Sequence, residues 1–238
     1  MRTRIVLVAS VVVLGLLSGV RAGEIPDCVG AWSFDEGNGT AAADASSSKN
    51  DGTLTGAPKW VEGKSGKAVS LDGQKDCIVL KQDLLKWLGK TGSLSCWIKT
   101  KATGNETFWQ APAITGVEEA GGGNDIFWGW IDDSGKIGIQ AGDAEGAKSS
   151  NPITDDKWHH VAFTRNMDSG EVKVYVDGKV AGTATSDTGE KTSSFNALGR
   201  RENTGGDATF LQGSLDEVRI YSRVLTDAEV EKLSKGEK

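Results

Sequence analysis

Two histidines, three cysteines and four prolines among 238 residues leave little material for several kinds of chemistry. Cys28, Cys77 and Cys96 are odd in number, widely spaced and form no Cys-x-x-Cys pair. A zinc site is therefore excluded, and at most one disulfide fits, its pairing left open. His159 and His160 are consecutive, so in an extended chain they point to opposite faces and only one can reach a given pocket. No Ser or Cys stands in a pattern with His and Asp that marks an activated nucleophile. Positive charge is also scarce: 27 Lys+Arg face 33 Asp+Glu, a formal net charge of −6. With a pI near 5.1, the field of the chain does not attract nucleic acid or an anionic membrane surface. No apolar run reaches the roughly 20 residues that a membrane-spanning helix needs.

What the chain has in excess is glycine, 32 residues, and tryptophan, eight. The first suggests many turns; the second suggests a well-filled core, an aromatic binding face, or both. Residues 1–22 read as a secretory signal peptide, with Arg2 and Arg4, an apolar run from Ile5 to Leu17, and a small-residue exit from Ser18 to Ala22. Cleavage near Ala22 places the protein outside the cytoplasm, in the periplasm or secreted. Residues 27–238 then form a single domain, without a repeat or a Pro-rich linker to divide it. Period-2 alternation runs through most of it, at Leu94-Cys96-Ile98, Ile126-Trp128-Trp130, Ile137-Ile139-Ala141, His159-Val161-Phe163 and Val172-Val174-Val176, which marks half-buried strands. Asp133-Ser134-Gly135, Asp168-Ser169-Gly170 and Asp177-Gly178 are hairpin turns between them. Thr226-Asp227-Ala228-Glu229 is a capping box that opens a short C-terminal helix through Val230 and Leu233, stopped at Gly236. Leu84–Leu88 forms at most one further helical turn. Many short strands with almost no helix predict an all-β, two-sheet antiparallel sandwich or a barrel.

Five segments in order carry a family resemblance: Val29-Gly30-Ala31-Trp32-Ser33-Phe34-Asp35-Glu36-Gly37; Lys49-Asn50-Asp51-Gly52-Thr53-Leu54 with Gly66-Lys67-Ala68-Val69-Ser70-Leu71-Asp72-Gly73; Trp158-His159-His160-Val161-Ala162; Val174-Tyr175-Val176-Asp177-Gly178-Lys179; and Gly213-Ser214-Leu215-Asp216-Glu217-Val218-Arg219-Ile220-Tyr221. Together they resemble laminin-G-like jelly-roll domains of the concanavalin A-like lectin and glucanase superfamily. The resemblance implies a jelly-roll sandwich with a short C-terminal helix. It also implies that the first and last strands are neighbours, and that Trp32, Trp97 and Trp158 are core packing. Function is not fixed by it, because this fold hosts lectins, adhesion modules and glycosidases.

Three kinds of site are expected or excluded on the residues. The resemblance implies a structural Ca²⁺ held by Asp35, Asn50 (through its carbonyl) and Asp216, hard oxygen donors of the type calcium takes; the alternative is that they are solvated turn acids. A glycan surface is expected at Trp109, Asn124 and Asp125, where an aromatic face stands beside a Gly-rich insert, Glu118 to Asp125, that offers amide and carboxylate groups to hydroxyls. Trp128 and Trp130, on one face of a strand, belong either to that surface or to the core. Catalysis is not expected: paired carboxylates about 5 to 5.5 Å apart are needed for a retaining glucanase. Glu118-Glu119 and Asp216-Glu217, being adjacent, would diverge in an extended chain. The expectation is a secreted, non-catalytic domain that binds an extracellular glycan or glycoprotein, the alternative being an adhesion or assembly module with a protein partner.

Overall fold

The computed structural model describes residues 25–237. The expected signal peptide, residues 1–22, lies outside them, as does Lys238. The described chain is a β-sandwich. Its back sheet runs in the order Lys179–Thr185, Glu171–Val176, His159–Arg165, Gly92–Lys99, Gln212–Tyr221, Lys67–Asp72, Lys59–Glu62, and Cys28–Trp32 also pairs with Gln212–Tyr221. The first and last long strands are thus neighbours, as the resemblance implies. Facing it is a front sheet of Ala147–Lys148, Ile137–Ala141, Ile126–Ile131, Thr115–Glu118, Arg200–Asn203 and Thr209–Phe210. A small sheet, Ala197–Leu198, Cys77–Leu80, Gly52–Thr55 and Ala41–Ala42, extends that layer. All pairings are antiparallel except that of Thr115–Glu118 with Arg200–Asn203. Asp177 and Gly178, both at positive φ (50° and 79°), close the hairpin between Glu171–Val176 and Lys179–Thr185 with the twist such strands require.

The strand alternation read from the sequence fills the core. Leu94, Cys96 and Ile98 point inward with Val161, Phe163, Val172 and Val174, and they meet Ile126, Trp128, Ile137 and Ile139 of the front sheet. Ser95 and Trp97, their neighbours in sequence, consequently lie on the outer face of the back sheet. Cys28, Cys77 and Cys96 are all free thiols, and burial raises the pKa of each, so Cys77 and Cys96 serve as small core residues.

Two bulges break the alternation, and both change which side chains reach a surface. In Ile126–Ile131 the register against Ile137–Ala141 slips between Gly138 and Ile139, and Gly129 adopts φ 75°. A Cβ there would meet Ile114 Cδ1 at 2.5 Å, so glycine is required on both counts. Trp128 and Trp130 therefore do not share a face: Trp128 is in the sandwich core, while Trp130 packs with Ala111, Ala113, Phe127 and Phe108 in a separate cluster. In Gln212–Tyr221 the register shifts between Asp216 and Arg219, with Glu217 at φ 48°. The extra residue lets Leu215 and Val218 both face the core although they are three apart.

The C-terminal helix, Asp227–Ser234, begins at the expected capping box, with Thr226 accepting from Glu229 N and Glu229 bonding back. Val230 and Leu233 pack on Ala162, Tyr175 and Tyr221 at the outer face of the back sheet. Tyr175 Oη donates to Asp227 Oδ1 at 2.8 Å, which fixes the first helical turn to that sheet.

Candidate functional site

The turn between Lys59–Glu62 and Lys67–Asp72 collects two of the acids. Phe34, at φ 55°, ends the first strand's extended run, and the next residue, Asp35, accepts a hydrogen bond from Lys67 N at 2.9 Å through Oδ1. Asp216 accepts from Ser65 N at 2.9 Å through Oδ2. Its Oδ1 is buried and has no partner among the described residues, and the residue is 0% exposed. Burial pushes its carboxyl up to about 6. An ionised carboxylate without a partner in such a place is costly, and a hard cation is the partner that removes the cost. Asp216 thus offers an oxygen that a hard cation would satisfy, and Asp35 is held at the same turn.

Asn50 occupies different surroundings. Its Oδ1 accepts from Gln82 N at 2.6 Å, its Nδ2 donates to Gln82 O at 3.2 Å, and its backbone carbonyl accepts from Trp32 Nε1 at 3.1 Å. Asp44, six residues before Asn50, organises this loop. Its two carboxylate oxygens receive Ala31 N, Ser46 N, Ser46 Oγ and Asn50 N at 2.8 to 2.9 Å.

The outer face of the front sheet carries the aromatic surface. Phe108–Gln110 forms one 3-10 turn that lays Phe108 against Phe127 and Trp130, with ring centroids 5.7 and 6.1 Å apart. Trp109 stacks edge-on against Phe108 at 4.9 Å and is 47% exposed, on a base that cannot collapse beneath it. Polar groups surround this base. Lys148 Nζ sits 5.7 Å from the Trp130 ring, 2.9 Å from Asp132 Oδ2 and 3.5 Å from Glu106 Oε1. Asn105 Nδ2 donates to Gln110 Oε1 at 3.3 Å. Glu106, Asp132 and Asp133 bring carboxylate oxygens within 4.8 Å of one another, with Lys148 as their counter-charge. Sequence reasoning missed this group, because residues 106, 132 and 148 meet only after three loops fold together.

The Gly-rich insert is a tied loop. Asp125 is buried, and its Oδ1 accepts from Glu119 N at 2.7 Å; burial raises its pKa to about 6. Glu119 pairs with Ser193 Oγ, and the buried Lys191 donates to Gly123 O at 2.8 Å. Asn124 is half-exposed. Of the three expected glycan contacts, Trp109 and Asn124 reach the surface, while Asp125 turns inward to hold the loop.

The other tryptophans divide as well. Trp32 is core, as implied, but Trp97 and Trp158 are not: both are half-exposed and line clefts on the outer face of the back sheet. The strand parity that sends Leu94, Cys96 and Ile98 inward sends Trp97 out.

Comparison with known proteins agrees with this architecture. A family model described as the concanavalin A-like lectin/glucanases superfamily matches residues 70–231. No curated protein matches the chain significantly. Among solved structures, the chain is similar to domain 4 of AbnA, a GH43 extracellular arabinanase from Geobacillus stearothermophilus, solved in complex with arabinotriose. The identity is 26% and the TM-score 0.61, over 87% of this chain and 98% of that one. It shares its fold with the binding domain of Paraclostridial Mosquitocidal Protein 1, at 16% identity and TM-score 0.65, over 88% of this chain and 52% of that one. Trypanosoma rangeli sialidase matches at 17% identity and TM-score 0.64, over 89% of this chain and 33% of that one.

Proposed function

The chain belongs to the concanavalin A-like lectin/glucanases superfamily, and from that premise we propose that it is an exported, non-catalytic module that binds carbohydrate on its front face. A single observation carries this: Trp109 stands exposed against Phe108, which packs on Phe127 and Trp130, with Lys148, Asp132 and Glu106 gathered beside Trp130. A sugar ring needs that pairing, an apolar face for its C–H side and planar polar groups for its hydroxyls. Trp109 supplies the platform, Glu106 and Gln110 supply hydrogen bonds near it, and the half-exposed Asn124 of the Gly-rich insert is a further contact of the same proposal. The similarity to an arabinanase domain solved with arabinotriose supports an oligosaccharide as ligand.

Calcium belongs to the same proposal as a structural ion. Asp35 and Asp216 would hold it, and when bound it neutralises their charge against the turn at residues 63–66. The two carboxylates themselves orient that turn through Ser65 N and Lys67 N. Intrinsic tryptophan fluorescence during titration with arabinotriose and other cell-wall oligosaccharides tests the function. Saturable binding that Trp109→Ala weakens at least about tenfold supports it. A folded protein silent across the panel points instead to a protein partner.

A further inference from the structure

Between the C-terminal helix and the outer face of the back sheet lies a cleft of ≈ 280 Å³. Its floor comes from three adjacent strands. Ser95 and Trp97 belong to Gly92–Lys99, His160 lies opposite Trp97 on one side, and Arg219 lies opposite Ser95 on the other. Leu233 and the residues that end the helix complete the lining with Lys64.

One polar side chain here is buried with an unpartnered nitrogen, and a second lines the cleft beside it. Ser95 is 1% exposed and lines the cleft. His160 is 2% exposed, its Nδ1 is an orphan, and its ring packs edge-on with Trp97 at 5.4 Å. Buried polar groups are paired as a rule, so the orphaned His160 Nδ1 in this cleft marks a place where something else supplies the partner.

The charges narrow what that is. Arg219 is matched by Glu217 at 2.8 Å and Lys235 by Glu231 at 2.7 Å, while Glu237 is exposed near the chain end. Lys64 holds its ammonium over the Trp97 ring at 4.4 Å, with no carboxylate partner among the described residues. Neither Lys64 nor Glu237 of the lining has an ion pair among the described residues, and Lys64, held over the Trp97 ring, is the group that suits a single negative charge on a ligand. Burial lowers the His160 pKa to about 4, so at neutral pH the imidazole and the Ser95 hydroxyl are uncharged groups suited to hydroxyls. Trp97 and Leu233 offer apolar surface to a ring, and the volume suits one ring.

We propose that this cleft is a second ligand site, distinct from the front face, which takes a single-ring hydroxylated monocarboxylate such as a hexuronic acid. Lys64 pairs with the carboxylate, Ser95 and His160 bond hydroxyls, and Trp97 and Leu233 cover the ring. NMR of the His160 ring protons in the intact protein, titrated with glucuronate and galacturonate, tests it; glucose, galactose, acetate and inorganic phosphate are the controls. A hexuronate that shifts the His160 signals saturably, and at least about tenfold more tightly than each control, is the expected result. Lys64→Ala, at an exposed turn, is expected to weaken that binding about tenfold and to leave any front-face oligosaccharide response unchanged. Three results overturn the proposal: no shift with either hexuronate, a response to acetate or phosphate of equal strength, or undiminished hexuronate binding by Lys64→Ala.

Discussion

Asp44 and Asp216 are both buried carboxylates, 2% and 0% exposed, and they have opposite surroundings. In the loop around Asp44 four donors close on the two oxygens, so the acid is complete within its own chain. At the Asp216 bulge one oxygen is bonded and the other is an orphan. The difference separates two uses of a buried acid. A saturated one builds structure, whereas an unsaturated one leaves an oxygen for a partner to satisfy. Ser93 and Ser95 stand two residues apart in one strand, the first bonded to Arg223 O and the second lining the back cleft.

The largest effect is expected where the chain is complete. Asp44→Ala strands several buried donors at about 1 to 3 kcal/mol each. With partial relaxation the loss is roughly 3 to 5 kcal/mol, a fall in Tm of about 10 °C or more for a domain this size. Thermal unfolding checks it; a fall below about 2 °C would break the contrast between the two acids.

The second effect is a pH slope at His160. Its pKa in the folded chain, about 4, lies below the ordinary 6.5, so the unfolded chain takes up the proton first. Stability from this group is complete above about pH 6.5 and is lost as pH falls through about 4, by up to about 3 kcal/mol. His160→Gln lacks that slope. Asp125, raised to about 6, acts in the opposite direction, losing stability as pH rises from about 4 to 6. It does so in both proteins, so the difference between their denaturation curves isolates His160.

Calcium is expected to act at Asp216 and not at Asp44. At about a hundred times its dissociation constant it adds roughly 2.7 kcal/mol, a Tm rise of about 5 to 10 °C, and Asp216→Asn abolishes the rise. An unchanged Tm on chelation, or a full rise in Asp216→Asn, removes the ion from that place. The smallest effect is at the helix cap: Thr226→Ala is expected to cost about 1 kcal/mol, seen as a Tm about 2 to 4 °C lower.

Much of the fold was legible because its signals are local. Alternation at Leu94-Cys96-Ile98 or Val172-Val174-Val176, the turn at Asp177-Gly178, and the capping box at Thr226 each depend on neighbours in sequence. The bulges at Gly129 and Glu217 were not legible, since nothing local says which residue is the extra one, and a single insertion turned Trp130 away from Trp128. Trp97 and Trp158 were misassigned for a related reason: a tryptophan on the outer side of a strand looks like core until the clefts that the surrounding elements form over it are seen. The candidate site was legible in its exposed aromatic, Trp109, but its charged margin joins Glu106, Asp132 and Lys148 from separate loops. Likewise Asp35 and Asp216 meet only through a turn, residues 63–66, that carries no mark of either.

Oligosaccharide binding by the wild-type protein and by Trp109→Ala, measured side by side by calorimetry with arabinotriose first in the panel, tests the central claim most directly. The account predicts saturable binding to a restricted set of sugars that falls at least about tenfold in the variant. Equal binding by both proteins, or none by a folded wild type across the panel, would contradict it.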